Sequence, residues 1–343
     1  MPLNRPTLLD LAREAGVSPA TVDRVLNDRQ GVHPRTREIV MTTARRLGYL
    51  ADETAPAGVV PPKPVRLSFL LPAGSNAFIK ALRTQIEVQA MQHPDLDVRV
   101  EAIEGFNPET LARRLDAVPP EVDGLGLVAL DHPLVREALR RLAGRGVKVV
   151  TIASDVQNVP RVAYVGIDNR QAGRLAGYVM GRLLAGRDAA KVAFFAGFRS
   201  YRGHEEREMG FRSVLAEDFP EARIVEQREI MDDRKRAYAE TVTILEAHPD
   251  LAAIYNAGAG NPGIAQALSE RGLAGRVVLL GHEATDGNKR LLLDGTMDAV
   301  IDQNPRVEVR EALNVLVKAA RQEPYALMAP RLQIVFRENL PDE

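Results

Sequence analysis

From Val65 onward the chain repeats one pattern. Short apolar runs are each followed by a longer stretch of helical character: VRLSFLL at 65–71, GLGLVAL at 124–130, VKVVTIA at 147–153, KVAFFAG at 191–197, LAAIYNA at 251–257 and RVVLLGH at 276–282. A run that is apolar throughout, rather than at every second residue, belongs to a strand covered on both faces. A helix between two such strands carries the chain back to the same end of the sheet, so the strands lie parallel. The expected strands are 65–71, 97–102, 124–129, 147–152, 162–166, 191–195, 223–227, 251–255 and 277–280, with further strands near 298–302 and 332–336.

The first fifty residues follow a different rule. They hold eight arginines against five acids, a formal +3, so the net charge of −1 leaves −4 for the rest. Thr7 is placed to cap a first helix, with Asp10 three residues on, and Leu8, Leu11 and Ala12 form its apolar face. Gly16 ends that helix, Ser18 caps a second, and Pro19 takes the first position, where its missing N–H costs nothing. Val22, Val25 and Leu26 form the buried stripe of the second helix. A third runs from about Pro34 to Leu47, with Ile39, Val40, Ala44 and Leu47 inward and Gly48 as its stop. Three short helices around a small core, two joined by a tight turn, suit a reader of the DNA major groove. Next comes ADETAPAGVVPPKP at 51–64, whose four prolines and one glycine support neither helix nor strand and read as a linker.

Several classes are excluded. The chain has no cysteine, hence no disulfide, thiolate metal site or cysteine nucleophile. No apolar run approaches the ~20 residues that cross a bilayer, and the N-terminus has charges every few residues, unlike a secretory signal. A cytoplasmic location and no membrane partner are expected. The six histidines lack metal-ligand spacing, and no nucleotide-loop, zinc-protease or serine-hydrolase motif occurs. Neither enzyme chemistry, a metal nor a cofactor is expected.

TLLDLAREAGVSPATVDRVLN followed by TREIVMTTARRLGY resembles the DNA-binding head of the LacI-type bacterial transcriptional regulators. Residues 65 to about 335 resemble the ribose-binding branch of the periplasmic binding proteins, the usual effector domain of such regulators. The resemblance implies a small all-α helix-turn-helix head (1–50) and a linker (51–64). It further implies an α/β two-lobed periplasmic-binding-protein-like domain with parallel sheets (65–340), serving effector binding and dimerisation. Lobe 1 is expected at 65–166 and 298–330, and lobe 2 at 167–297 and 331–340.

In that family the second helix lies in the major groove. By position Pro19 and Ala20 offer apolar contact to bases, and Arg24 is placed for a bidentate guanine contact. Thr7, Ser18, Thr21 and Asn27 fall where phosphate contacts set register, and Arg5, Arg29, Arg35 and Arg37 supply electrostatic attraction. Two departures stand out. Asp23 replaces a small hydroxyl residue; it either orients Arg24 or a neighbouring arginine, or accepts from a cytosine amino group. The hinge that in the family folds on DNA and wedges a leucine into the minor groove has no match in LADETAPAGVVPP.

Ligands of such folds bind beyond the carboxyl ends of strands. The residues there that the resemblance marks are Asn76 and Phe78, Asp131 with His132, Arg207 of an RxxGF sequence, Asn256, Glu283 and Gln303. Tyr201 and His204 lie near Arg207. Asp155 ends a strand, Asp168 and Asn169 sit at the crossover between lobes, and Asn261 is an alternative to Asn256. The glycines of NAGAGNPG at 256–263 are also able to leave N–H groups open to an anion. Asp302 is expected to face away from Gln303's side. Carboxylates and one arginine around an aromatic ring suit a sugar or polyol.

The implied protein is a homodimer on a pseudo-palindromic operator, a repressor of sugar or polyol genes whose ligand closes the lobes. The tail carries no heptads that would build a tetramer. The alternative is a cytoplasmic sugar-binding sensor with weak or nonspecific DNA binding. Arg24→Ala is expected to weaken specific operator binding by ~1–3 kcal/mol and leave binding to random DNA nearly unchanged. Equal loss on both DNAs in a titration removes Arg24 from base reading.

Overall fold

A computed structural model describes residues 7–27, 29, 31–46, 63–104 and 107–341. The chain divides into two compact units, Met1–Lys63 and Pro64–Glu343. In the first, α1 (Leu8–Glu14), α2 (Pro19–Leu26) and α3 (Pro34–Arg46) enclose Leu11, Ala12, Val22, Val25, Val40 and Ala44. Gly16 turns the chain between α1 and α2 at φ +65°, a conformation that a β-carbon disfavours. Ser18 caps α2, its Oγ accepting from the Thr21 N–H at 3.2 Å. Ile39, expected inward, is exposed; Thr43, four residues on, is buried instead. Leu47, Gly48, Tyr49, Arg5 and linker residues 51–62 lie outside the described residues, as do the side chains of Asp10 and Arg35.

The second unit holds two sheets. The first has the order β2-β1-β3-β4-β5 and is parallel throughout, from β1 (Val65–Pro72), β2 (Leu96–Ile103), β3 (Gly124–Leu127), β4 (Lys148–Ile152) and β5 (Ala163–Val165). Its helices are α4 (Ala77–Ala90), α5 (Pro108–Asp116) and α6 (Pro133–Gly144). The second has the order β11-β10-β9-β8-β6-β7, from β6 (Lys191–Ala196), β7 (Arg223–Glu229), β8 (Leu251–Asn256), β9 (Val278–His282), β10 (Ala299–Asp302) and β11 (Gln333–Val335). Only β10 and β11 pair antiparallel there. Its helices are α7 (Asn169–Leu183), α8 (Arg202–Asp218), α9 (Arg234–Ala247), α10 (Asn261–Glu270) and α11 (Asp286–Leu293). The apolar runs are buried from end to end, as in β3, β8 and β9.

One expected boundary moves. Residues 298–302 were assigned to lobe 1, but β10 pairs with β9 and β11 in the second sheet. The chain crosses after β10: α12 (Pro305–Ala320) buries Val309, Ala312, Leu313, Val315 and Leu316 in the core of the first sheet. The sequence could not place β10, because an apolar strand fits either sheet and only the pairing decides. Asn304, at φ +56°, starts α12 by accepting from the Val307 N–H.

Helices α7 and α8 approach more closely than ordinary side chains permit. A β-carbon on Gly173 would overlap the Arg207 carbonyl, and one on Gly210 would overlap the Arg170 carbonyl. Gly177 and Gly181 continue the same face of α7 against Phe211, Val214 and Phe219. This contact fixes the height of Arg207 on α8. Gly173→Ala is expected to destabilise the protein by about 1–3 kcal/mol through overpacking, measured by urea unfolding. An unchanged midpoint would show that the helices separate without loss.

Candidate functional site

The carboxyl ends of both sheets face one cavity of about 60 Å³. The first sheet's side contributes Asn76, Phe78, Ile79, Val128, Ala153 and Ser154; the second sheet's side contributes Arg207, Asp232, His282, Glu283 and Gln303. The first group is mainly apolar and the second polar. Three lining residues other than glycine have left-handed backbones: Ala153 at φ 59°, Asp232 at φ 52° and Glu283 at φ 71°. Such conformations cost of order 1–3 kcal/mol each and collect where geometry serves a site.

Each polar group is held from behind. Asn76 caps α4, its Oδ1 accepting from the Phe78 N–H at 3.0 Å. Its Nδ2 donates to Asp232 Oδ2 at 3.0 Å, and the other Asp232 oxygen accepts from the Ala259 N–H at 2.8 Å. One carboxylate thus ties together the ends of β1, β7 and β8. Arg207 is buried; its Nε donates to Asn169 Oδ1 and its Nη1 to the Ala257 carbonyl, both at 2.8 Å. Asn169 in turn donates to the Tyr164 hydroxyl at 3.0 Å. Arg207 Nη2 remains for the cavity. Gln303 Nε2 donates to Glu283 Oε1 at 2.6 Å. His282 Nε2 pairs with the Tyr255 hydroxyl at 2.8 Å, and Tyr255 packs among Phe194 and Phe211. Four lining atoms are buried without a partner: Ser154 Oγ, His282 Nδ1, Glu283 Oε2 and Gln303 Oε1. Orphaned polar atoms at a cavity wall are groups that a bound ligand would satisfy.

Burial sets the charges. It pushes the Glu283 carboxyl up to about 8, with Asp302 adding to the rise and Arg207 opposing it. Glu308, on α12, is fully buried with neither oxygen partnered, and burial carries it well above the usual carboxylate range, with Glu283 adding to the effect. His204 is held down to about 4 by burial, against the pull of Asp232. Burial also holds His282 well below its ordinary value, so both histidines are neutral at pH 7.

The structure brings together Asn76, Phe78, Arg207, Glu283 and Gln303, with Tyr201 and His204 beside them. It does not bring Asp131, His132 or Asn256 to the wall. β3 stops at Leu127, and the next residues run past the strand end, so Val128 lines the cavity while Asp131 pairs with Arg136 at 2.6 Å. His132 caps α6, its Nδ1 accepting from the Leu134 N–H. Asn256 is buried behind the loop after β8, donating to Asn261 Oδ1 at 2.7 Å and to the Ala259 carbonyl. One N–H of that glycine-rich loop, that of Ala259, does meet an anion, but it is the protein's own Asp232. Asp155 is taken up by Thr151 and Arg161, Asp168 caps α7, and Asp302 accepts from the Ala284 and Asn304 N–H groups. Asp232, Ser154 and His282 were not anticipated. Asp232 sits just past β7, so the same search of strand ends would have found it had that strand been read to Glu229.

On α2, Ser18, Pro19, Ala20, Arg24 and Asn27 are exposed, Thr21 is half-buried, and Thr7 precedes α1 at the surface. Asp23 does not orient Arg24. Its carboxylate accepts from Asn27 Nδ2 at 2.8 Å and from Arg29 at 3.4 Å.

Two family models match the chain: "Bacterial regulatory proteins, lacI family" over residues 7–52, and "Periplasmic binding protein domain" over 67–324. Catabolite control protein A of Priestia megaterium is 30% identical over 166 residues, covering 48% of each chain, so the match spans about half that relative's length. The D-ribose/D-allose-binding protein of Pseudomonas aeruginosa is 26% identical over 260 residues, 71% of this chain and 78% of that one. Among solved structures, a solute-binding protein from Burkholderia graminis in complex with D-arabinose matches with TM-score 0.76 and 23% identity, over 82% of this chain and 98% of that one. GanP, a glucose-galactose binding protein from Geobacillus stearothermophilus, matches with TM-score 0.73 and 22% identity, over 81% and 99%. These likenesses fix the fold. No described helix is long and apolar enough to cross a membrane, and among the described residues no group of three His, Asp or Glu could hold a metal.

Glu283 supplies a signed pH prediction. Its folded value lies above the ordinary 4.5, so its stabilising contribution is complete below about 4.5 and is lost as pH rises towards about 8. Urea unfolding is expected to show stability falling over that window, and Glu283→Gln is expected to flatten the fall. An identical slope in the variant would mean that Glu283 is ionised in the fold. Arg207→Ala leaves the Asn169 and Ala257 oxygens unpaired and is expected to cost about 2–4 kcal/mol.

Proposed function

We infer, because the chain belongs to the periplasmic binding protein domain family and carries a LacI-type head before that domain, that it is a transcriptional regulator whose DNA affinity answers to a sugar or polyol. The observation that carries this reading is the cavity itself. Apolar wall residues and a capping asparagine from one sheet meet Arg207, Glu283 and Gln303 from the other, in one chain with a helix-turn-helix. Phe78 offers a ring face, and the orphaned polar atoms opposite offer partners for hydroxyls.

The mechanism follows from the position of the site. A ligand that touches residues of both sheets favours the arrangement in which they lie close together. The Asn76–Asp232 hydrogen bond spans the same divide and is formed only when the strand ends approach. Two copies of the chain, assembled as a dimer in the cytoplasm, present two heads to a pseudo-palindromic operator of about 14–20 base pairs. One head makes few contacts, so useful affinity needs both, held at high effective concentration by the dimer. A ligand-dependent change in head spacing worth ~1–3 kcal/mol suffices for regulation, and repression relieved by ligand is the proposed sense.

The test is to incubate the full chain with fragmented DNA of its source at ~150 mM salt and sequence what it retains. A palindromic motif, released by a pool of sugars and polyols, is the expected result. Retention without a motif, unaffected by the pool, overturns the reading. It would favour a sugar sensor with nonspecific DNA affinity, which the exposed Pro19-Ala20 pair and the Asp23 carboxylate on α2 would then explain.

A further inference from the structure

The second sheet's side of the cavity is rich in carboxyl groups. Asp232 after β7 and Glu283 after β9 line it together with one described cation, the Arg207 guanidinium on α8, while Asp302 at the end of β10 and Glu308 on α12 stand behind Glu283. Two of that cation's nitrogens are already committed to Asn169 and Ala257. Neither neighbouring histidine, His204 on α8 or His282 on β9, adds charge at neutral pH. Gln303 is buried and lines the cavity, and its Oε1 is an acceptor without a donor; Glu283 Oε2 is buried there without a partner. Ser154, equally buried on the opposite wall, has an unpartnered Oγ able to accept. Behind them Glu308 has two unpartnered oxygens and no access to solvent.

We propose that the ligand of this cavity is a hydroxylated primary amine, an amino sugar or amino polyol, with its ammonium group against Glu283 and Gln303 and its hydroxyls towards Arg207. An ammonium has three N–H donors and no acceptor, so it suits a wall of unpaired acceptors. The sheltered carboxylate strengthens the pair, since a charge-assisted hydrogen bond in a water-poor site outweighs a neutral one. Without ligand, Glu283 holds a proton at pH 7 because burial raises it to about 8. When the ammonium arrives, the carboxyl O–H bond breaks, its proton leaves to solvent, and the carboxylate takes the three-donor cation in its place. Glu308, held neutral by its burial behind the wall, does not touch the ligand. The inference rests on the sugar-or-polyol reading and narrows it to one chemical class.

The experiment uses the full chain at pH 7 and two matched pools. One holds D-glucosamine, D-galactosamine, D-mannosamine and 1-amino-1-deoxysorbitol; the other holds D-glucose, D-galactose, D-mannose and sorbitol. Thermal unfolding reports binding, and calorimetry in two buffers of different ionisation enthalpy counts protons. The expected result is stabilisation by a member of the amine pool with release of close to one proton. Glu283→Gln is then expected to lower that affinity by roughly 30-fold or more and to abolish the release. Glu308→Gln, an isosteric change of a neutral group away from the wall, is expected to leave that affinity unchanged while the unfolding transition stays cooperative; a loss as large as that of Glu283→Gln overturns the assignment of the ammonium to Glu283. Binding of the neutral pool without proton release overturns the amine assignment and leaves the regulatory reading standing. Stabilisation by neither pool overturns both.

Discussion

The Arg207 guanidinium organises the cavity. It is buried, and a buried charge is tolerated only where its donors are met. Asn169, at the start of α7, meets one; the Ala257 carbonyl, past the end of β8, meets another. Those two anchors join the crossover between the sheets to a loop of the second sheet. They also require α7 and α8 to lie close together, which the glycines at 173 and 210 permit. Asn169 then reaches the hydroxyl of Tyr164 on β5, so the same arginine reaches the first sheet through one intermediary. Its charge opposes the rise of both Glu283 and Glu308 and helps keep His282 neutral.

Asp232 plays the complementary part on the same wall. Its two oxygens take one donor from each side of the cavity, Asn76 from the first sheet and the Ala259 N–H from the second. Gly197 and Gly258 press against this carboxylate so closely that a β-carbon on either would overlap it. The glycine-rich loop therefore closes around an internal anion. Together the arginine and the aspartate define a frame, and the unpaired atoms of Ser154, His282, Glu283 and Gln303 are what the frame leaves for a ligand.

Much of this was legible beforehand where a residue's role depends on its position along the chain. Each expected strand has a counterpart, and the central ones such as β3, β8 and β9 were plainest, because a doubly covered strand must be apolar along its whole length and such runs are visible as text. Phe78 and Gln303 follow strand ends, and strand ends face the cavity. Asp131 and His132 obeyed the same rule and failed it. How far a loop travels after its last pairing is decided by packing, and here Arg136 drew the aspartate aside while α6 used the histidine as its cap. Asn256 failed differently: an asparagine at a strand end shapes its loop as readily as it meets a ligand, and nothing in its neighbours distinguishes the two.

By itself the sequence determined the division into a helical head and a parallel α/β unit, since hydrophobic period is a property of adjacent residues. It determined the helix cap at Ser18 as well, since a cap is read from its immediate neighbours. Only the tertiary structure decided which sheet took β10, that Glu308 is entombed without a partner, and that Asp232 clasps Asn76 across 156 positions of chain. Those outcomes depend on desolvation and on contacts between distant segments, and both exist only after the chain has closed on itself.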